Sequence, residues 1–254
     1  MGIPTVGIFA EDDSLSLHTR KTTISHPLEG VGVPAYLDQT QLIQIAKKHQ
    51  CTLVHPGYGF LSENEGFAQK CKDNNLTFIG PQPEVLSLLG DKIAARNLAI
   101  ECEVPIIPGT LQAATLSEAY AFMESLESGN GLMIKALAGG GGRGMRAVHS
   151  TEELAEAWKL CQSEAEKAFG NAELYVEQLL LNTRHIEIQI LGDGSGAVSH
   201  LGERECSIQR RNQKLIEIAP CPFLNPKLRV QLIHSAVKMA RKVNFASVGT
   251  FEFL

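Results

Sequence analysis

Four consecutive glycines, Gly139 to Gly142, lie in Lys135-Ala-Leu-Ala-Gly-Gly-Gly-Gly-Arg-Gly-Met-Arg146, with apolar segments on both sides. Glycine has no Cβ, so such a run can turn successive N–H groups toward an anion, and flanking cations can neutralise that anion. Taken alone, the run suits a flexible linker equally well. Its neighbours argue otherwise: residues 131–135 (Gly-Leu-Met-Ile-Lys) and 145–148 (Met-Arg-Ala-Val) predict two strands, so the glycines cap a hairpin. A loop pinned between paired strands can fold over a nucleotide as a flap, and a polyphosphate is the ligand it suits.

The rest of the chain narrows the partner. Its 254 residues, 44% hydrophobic and 20% charged, suffice for one or two cored domains. A net charge of −5 argues against a general grip on nucleic acid or an anionic membrane, so phosphate binding must come from local cations. Cysteines 51, 71, 102, 161, 206 and 221 form no C-x-x-C pair and suit reduced, buried thiols. Neither a signal-peptide pattern nor a long apolar run is visible. The expectation is a soluble, intracellular, small-molecule-binding protein.

Residues 4–10 are almost continuously apolar, the pattern of a strand buried on both faces in a parallel sheet. With strands at 51–54 and 76–79 and a helix at 38–49, they predict a doubly wound α/β unit over residues 1–80. Helices are expected at 86–98, 117–126 and 151–168, the last opening with early acids that suit the positive helix end. Residues 174–179 predict a strand. In the stretch 185–190, His185, Glu187 and Gln189 alternate with Ile186, Ile188 and Ile190, and the turn Asp193-Gly-Ser-Gly196 leads to a partner strand at 197–202. Both the abrupt opening strand and the closing alternation at 249–254 predict an incomplete chain.

Chemistry-bearing residues cluster late. Arg204, Arg210, Arg211 and Lys214 fall within a dozen positions, either as a solvated charged loop or as one wall of a cleft opposite the glycine flap. Lys92 and Lys135 are further candidate cations, and Glu252 is a carboxylate suited to Mg²⁺ beside a polyphosphate. His55 and His185 have no metal-ligand spacing. No Walker A loop, dinucleotide G-x-G-x-x-G or nucleophile elbow is present.

Several strings together resemble the biotin carboxylases of the ATP-grasp superfamily: His55-Pro-Gly-Tyr-Gly-Phe-Leu-Ser-Glu-Asn64, Phe78-Ile-Gly-Pro81, Gly90-Asp-Lys92, the 135–146 flap, His185-Ile-Glu-Ile-Gln189, Gly202-Glu-Arg204, Cys206-Ser-Ile-Gln-Arg-Arg211 and Gly249-Thr-Phe-Glu-Phe-Leu254. The resemblance covers essentially the whole chain in order. It implies an α/β protein with four parts: an N-terminal biotin carboxylase-like domain at 1–80, linker helices at 81–106, a small ATP-grasp lid domain at 107–180 and the start of the large ATP-grasp domain at 181–254. Both the doubly wound domain and the ATP-grasp fold would be truncated.

The implied reaction uses Mg-ATP (or its Mn²⁺ form) to convert bicarbonate to carboxyphosphate, whose CO₂ passes to biotin on a biotinyl carrier domain. Lys92 and Lys135 would contact ATP phosphates under the Gly141 and Gly142 backbone. Met145, Glu177, Leu179, Leu180 and Leu254 would surround adenine, with His185 near the nucleotide. Gln209 and Asn212 would line the ribose and phosphate side, Lys214 would serve catalysis at bicarbonate and the γ-phosphate, and Glu252 would bind the metal. The location implied is cytoplasmic or mitochondrial, and a homo-oligomer stays open.

Departures accompany the match. Asn212 stands where histidine is common in the family, and Gln178 where lysine is common. The family's opening strand with its Asn-Arg-Gly-Glu segment is absent, as are its second metal-binding Glu, its bicarbonate-deprotonating acid and its arginines for bicarbonate and biotin. Two readings stand: a biotin carboxylase component, or a nucleotide-binding remnant without carboxylation. Another ATP-grasp ligase resembling carbamoyl-phosphate synthase is more distant.

Overall fold

A computed structural model describes residues 2–127, 130–138, 144–210 and 213–254. Gly141, Gly142 and Asn212 therefore lie outside the described residues. The chain divides into two compact units, Met1–Ser87 and Leu88–Leu254.

In the first unit, β1 (Val6–Phe9) leads through a short 3-10 turn and α1 (Leu17–Lys21) to β2 (Ile24–Pro27), then α2 (Gly32–Leu37) and α3 (Gln39–Lys48). Next come β3 (Leu53–Val54), α4 (Glu65–Asp73) and β4 (Thr77–Phe78), and the division between the units falls within α5 (Pro83–Gly90). Asp38 starts α3 by accepting from the Thr40 and Gln41 amides, and Asn64 starts α4 by accepting from Phe67. Pairing is parallel, as expected of the α/β unit, but it occurs as two separate pairs, β1–β2 and β3–β4, and β2 is not among the expected strands. A cavity of about 180 Å³ separates them, lined by Val6 and Ile8 from one pair and Leu53 and Val54 from the other. What joins the pairs is α3, which puts Ile45 in one apolar cluster and Ile43 and Ala46 in the other.

His26 on β2 and His49 at the end of α3 place Nδ1 and Nε2 2.9 Å apart, so the contact needs one donor and one acceptor ring. Burial, then the charges of Lys48 and His49, hold His26 below its ordinary pKa of 6.5. In the unfolded chain this ring takes up its proton first, so stability is intact above pH 6.5 and declines as pH falls from there toward the folded value. Thermal melts of the chain are expected to show a midpoint lower by about 1–2 °C at pH 5.5 than in His26→Gln, relative to each protein at neutral pH. Equal pH dependence in both proteins would refute this.

The second unit opens with α6 (Lys92–Glu101). The single helix expected at 86–98 is two, because Asp91 interrupts it and accepts from the Ile93 and Ala94 amides to cap a new one. Lys92 consequently occupies a helix N-terminus. After α7 (Leu116–Ser125), opened by a Thr115–Glu118 capping box, come β5 (Leu132–Ala136), β6 (Met145–Val148), α8 (Thr151–Phe169) and β7 (Leu174–Gln178). The glycine-flanking segments do pair as an antiparallel hairpin, and β5 is central in the order β6-β5-β7. One face of this sheet joins Leu132, Ile134, Val148 and Val176 to Leu154 and Trp158 of α8 in a single core. Period-two alternation therefore puts Met133, Lys135, Tyr175 and Glu177 on the opposite face.

The remaining strands, β8 (Ile186–Asp193), β9 (Val198–Arg210), β10 (Gln213–Ile218) and β11 (Ala246–Phe253), form an antiparallel sheet in the order β10-β9-β8-β11. Helix α9 (Pro226–Lys242) packs on β8 and β9. The described part of the basic segment is not a solvated loop: Arg204 and Arg210 are carried on β9 and Lys214 on β10, which pair, while Arg211 lies outside the described residues. Gly249 on β11 is required by close approach, since a Cβ there would stand 2.6 Å from the Phe245 ring. No helix among the described residues is long and apolar enough to cross a membrane.

Candidate functional site

Two charged clusters form in the second unit, one on each sheet. In the first, Lys92 rises from the start of α6 and donates to the Ala136 carbonyl at 2.6 Å, with its ammonium 5.9 Å from the centre of the Tyr175 ring. Lys135 on β5 forms an ion pair with Glu177 on β7. Arg96 Nη1 lies 3.8 Å from the other Glu177 oxygen. Burial, then the neighbouring Lys135 charge, lowers the Lys92 pKa, with Glu177 opposing. Burial likewise pushes the Tyr175 phenol far up, which keeps it neutral. Three cations and one carboxylate leave this cluster with a surplus of positive charge, suited to a polyphosphate.

The second cluster centres on Glu187, which is 1% exposed despite lying on the polar side of the β8 alternation. Cross-strand register explains its company: Glu187 is opposite Glu252 on β11 and Arg204 on β9. Lys214 bridges the two carboxylates, pairing with Glu187 and donating to Glu252 at 2.6 Å. Arg204 spans Glu187 at 2.5 Å, Gln189 at 2.7 Å and Glu217 at 3.0 Å, so its guanidinium is held by three partners. His185 Nε2 is 3.6 Å from both Glu187 and Glu252, while its Nδ1 meets Gln209 Nε2 at 2.9 Å. Burial chiefly lowers the His185 pKa, which favours a neutral ring.

Ligand atoms of His185, Glu187 and Glu252 all lie within 4.8 Å of one another. Two carboxylates of this kind fit Mg²⁺, which takes oxygen ligands and commonly pairs one or two carboxylates with substrate phosphate. The sheet register thus gathers His185, Gln209, Lys214 and Glu252, and the β5–β7 pairing gathers Lys135 and Glu177 with Lys92. Met145 and Leu180 are half-buried, and Leu179 donates its amide to Gly131 at 2.8 Å. Leu254 is 58% exposed. Met145 is the cross-strand partner of Lys135 and so lies beside the first cluster, whereas no recorded contact joins Leu179, Leu180 or Leu254 to either cluster.

Residues 1–86 match the family model for the biotin carboxylase N-terminal domain, and residues 91–254 match that for the carbamoyl-phosphate synthase L chain ATP-binding domain. The biotin carboxylase of Campylobacter jejuni, solved as a beta-gamma-ATP complex, superposes with a TM-score of 0.95 at 39% identity, over 100% of this chain and 57% of that one. This chain belongs to the biotin carboxylase family. Other family members agree. The biotin carboxylase domain dimer of the Hydrogenobacter thermophilus 2-oxoglutarate carboxylase, solved with MgADP, ADP and bicarbonate, gives a TM-score of 0.92 at 41% identity, covering 99% of this chain and 55% of that one. Human mitochondrial pyruvate carboxylase is 49% identical over 258 residues, and that of Bacillus subtilis 47% over 259. All of this chain is covered in both, but it spans only 22% of either relative's length.

Arg96 and the central position of Glu187 escape the sequence reading. Arg96 had a signal, since it follows Lys92 by four residues on one helix face. Glu187 is visible only as one member of an alternating polar face, which gives no indication of burial.

Proposed function

We propose that this chain is the nucleotide-binding part of a biotin carboxylase that uses Mg-ATP to phosphorylate bicarbonate and passes CO₂ from carboxyphosphate to biotin on a carrier domain. The observation that carries this reading is the convergence of two cations from a helix start and a strand, Lys92 on the Ala136 carbonyl and Lys135 on the buried Glu177 carboxylate. Both lysines contact ATP phosphates. Glu177 turns its carboxylate to Lys135 and Arg96, so its backbone serves adenine, beside Met145, Leu179, Leu180 and Leu254. His185, Gln209 and Asn212 line the ribose and phosphate side. Residues 107–180 act as the lid domain, and 181–254 carry the acidic wall.

Glu252 and Glu187 would hold Mg²⁺, which would supply neutralisation of phosphate charge. Lys214 already spans both carboxylates, and it orients bicarbonate against the γ-phosphate as a fixed cation. Such placement lowers the barrier because charge developing in phosphoryl transfer meets dipoles and cations that need no reorganisation. The setting proposed is intracellular, as the mitochondrial and bacterial relatives suggest.

Calorimetric titration with MgADP, beside an assay of bicarbonate-dependent ATP cleavage with free biotin, tests the reading. Nucleotide binding with cleavage is the expected result for a polypeptide carrying the full site. Binding without cleavage supports the remnant reading for the 254-residue polypeptide, which spans just over half of a solved biotin carboxylase. Absence of MgADP binding overturns both.

A further inference from the structure

We propose that Arg96 is a positioning residue for Lys135, acting through Glu177; this rests on the assignment of Lys92 and Lys135 to the phosphates. Arg96 lies on α6 one turn beyond Lys92. Its Nη2 donates to the Ile107 carbonyl at 2.8 Å, which fixes the guanidinium plane. Its Nη1 faces one Glu177 oxygen at 3.8 Å while Lys135 takes the other. The carboxylate is thus gripped from both sides in a place where Arg96 is 12% and Glu177 7% exposed.

The charge arithmetic gives this grip a purpose. Lys92, Lys135 and Arg96 contribute three positive charges and Glu177 one negative, a surplus of two. With Arg96 occupying one oxygen, Glu177 holds Lys135 alone, and Lys92 is left on a neutral carbonyl, available to an anion. Without Arg96 the same carboxylate is free to turn between both lysines and to occupy Lys92 as well. Arg96 Nε is also buried with no partner among the described residues. Leaving a guanidinium donor unpaired costs stability, which marks a position held for its charge more than for packing.

Dissociation constants for MgADP and for adenosine, measured by calorimetry on the whole chain, test the proposal. Arg96→Met is expected to weaken MgADP by about tenfold while adenosine stays within about twofold. In the cycle with Glu177→Gln, the double variant is expected to bind MgADP as the Glu177→Gln chain does, because Arg96 works only through that carboxylate. A parallel loss of adenosine, additive losses in the cycle, or unchanged MgADP affinity would each overturn the proposal. If Arg96→Met does not fold by circular dichroism, Arg96→Lys decides. One ammonium cannot serve both acceptors as the planar fork does, so MgADP should weaken by about threefold, and unaltered affinity overturns the proposal. Failure of the unaltered chain to bind MgADP removes the parent reading and this inference together, whereas failure confined to the variants removes only this inference.

Discussion

Glu187→Ala is expected to lower the stability of the second unit by about 3–5 kcal/mol, because removing one member of a buried ionic network leaves its partners uncompensated. Glu187 is the shared acceptor for Lys214 and Arg204 and lies near His185. Its loss leaves Lys214 with Glu252 and Arg204 with Glu217 as their remaining carboxylates, and removes the buried charge between them. Lys214 and Arg204 retain 29% and 25% side-chain exposure, so water can reach both, and the lower end of the range is expected. Glu187→Gln keeps the shape and some hydrogen bonding, so a smaller loss in the same direction should result. Urea unfolding followed by tryptophan fluorescence would report these changes through Trp158. Midpoints unchanged in both variants would show that Glu187 is not the centre of the network. Under the proposed function, Glu187→Ala should also remove the advantage of MgADP over metal-free ADP, which calorimetry with and without chelator can read.

Lys135→Met is expected to weaken MgADP binding by about a hundredfold, the scale for deleting a desolvated cation that meets a phosphate. It carries a structural penalty as well, because Glu177 then stays buried with only the distant contact to Arg96. The double variant Lys135→Met with Glu177→Gln separates the two effects. Replacing both partners of a buried pair is often neutral for stability, so the double variant should recover most of the lost midpoint. MgADP affinity should not recover, since the phosphate still lacks its cation. Recovery of both together would mean that Lys135 matters only for folding.

Much of the architecture follows from local pattern. The hairpin around the glycine run, α8 with its acidic opening and the alternation of β8 were all readable, because apolar spacing of period two or near 3.6 reflects which face is buried. The break at Asp91 was missed, since apolar residues continue across it and only the capping geometry reveals the new start. The start of β9 was readable as the partner strand at 197–202, but its continuation to Arg210 and the return as β10 were missed for a related reason. Their dense charges resemble a loop, and their pairing becomes evident only when Arg204, Gln209 and Lys214 meet partners across the sheet.

By itself, the sequence determined which residues could share a face: Lys135 falls opposite Ile134 and the core it joins, and Glu187 opposite Ile186 and Ile188, because strand alternation leaves no other arrangement. Only the tertiary structure decided who meets whom. Lys135 finds Glu177 across 42 positions, and Lys214 finds Glu187 across 27 and Glu252 across 38. Those contacts depend on strand order and register, and a one-residue slip would turn each charged side chain to the other face of its sheet. Local spacing carries no information about that register, so the burial of Glu187 and the double grip on Glu177 come from the assembled sheets.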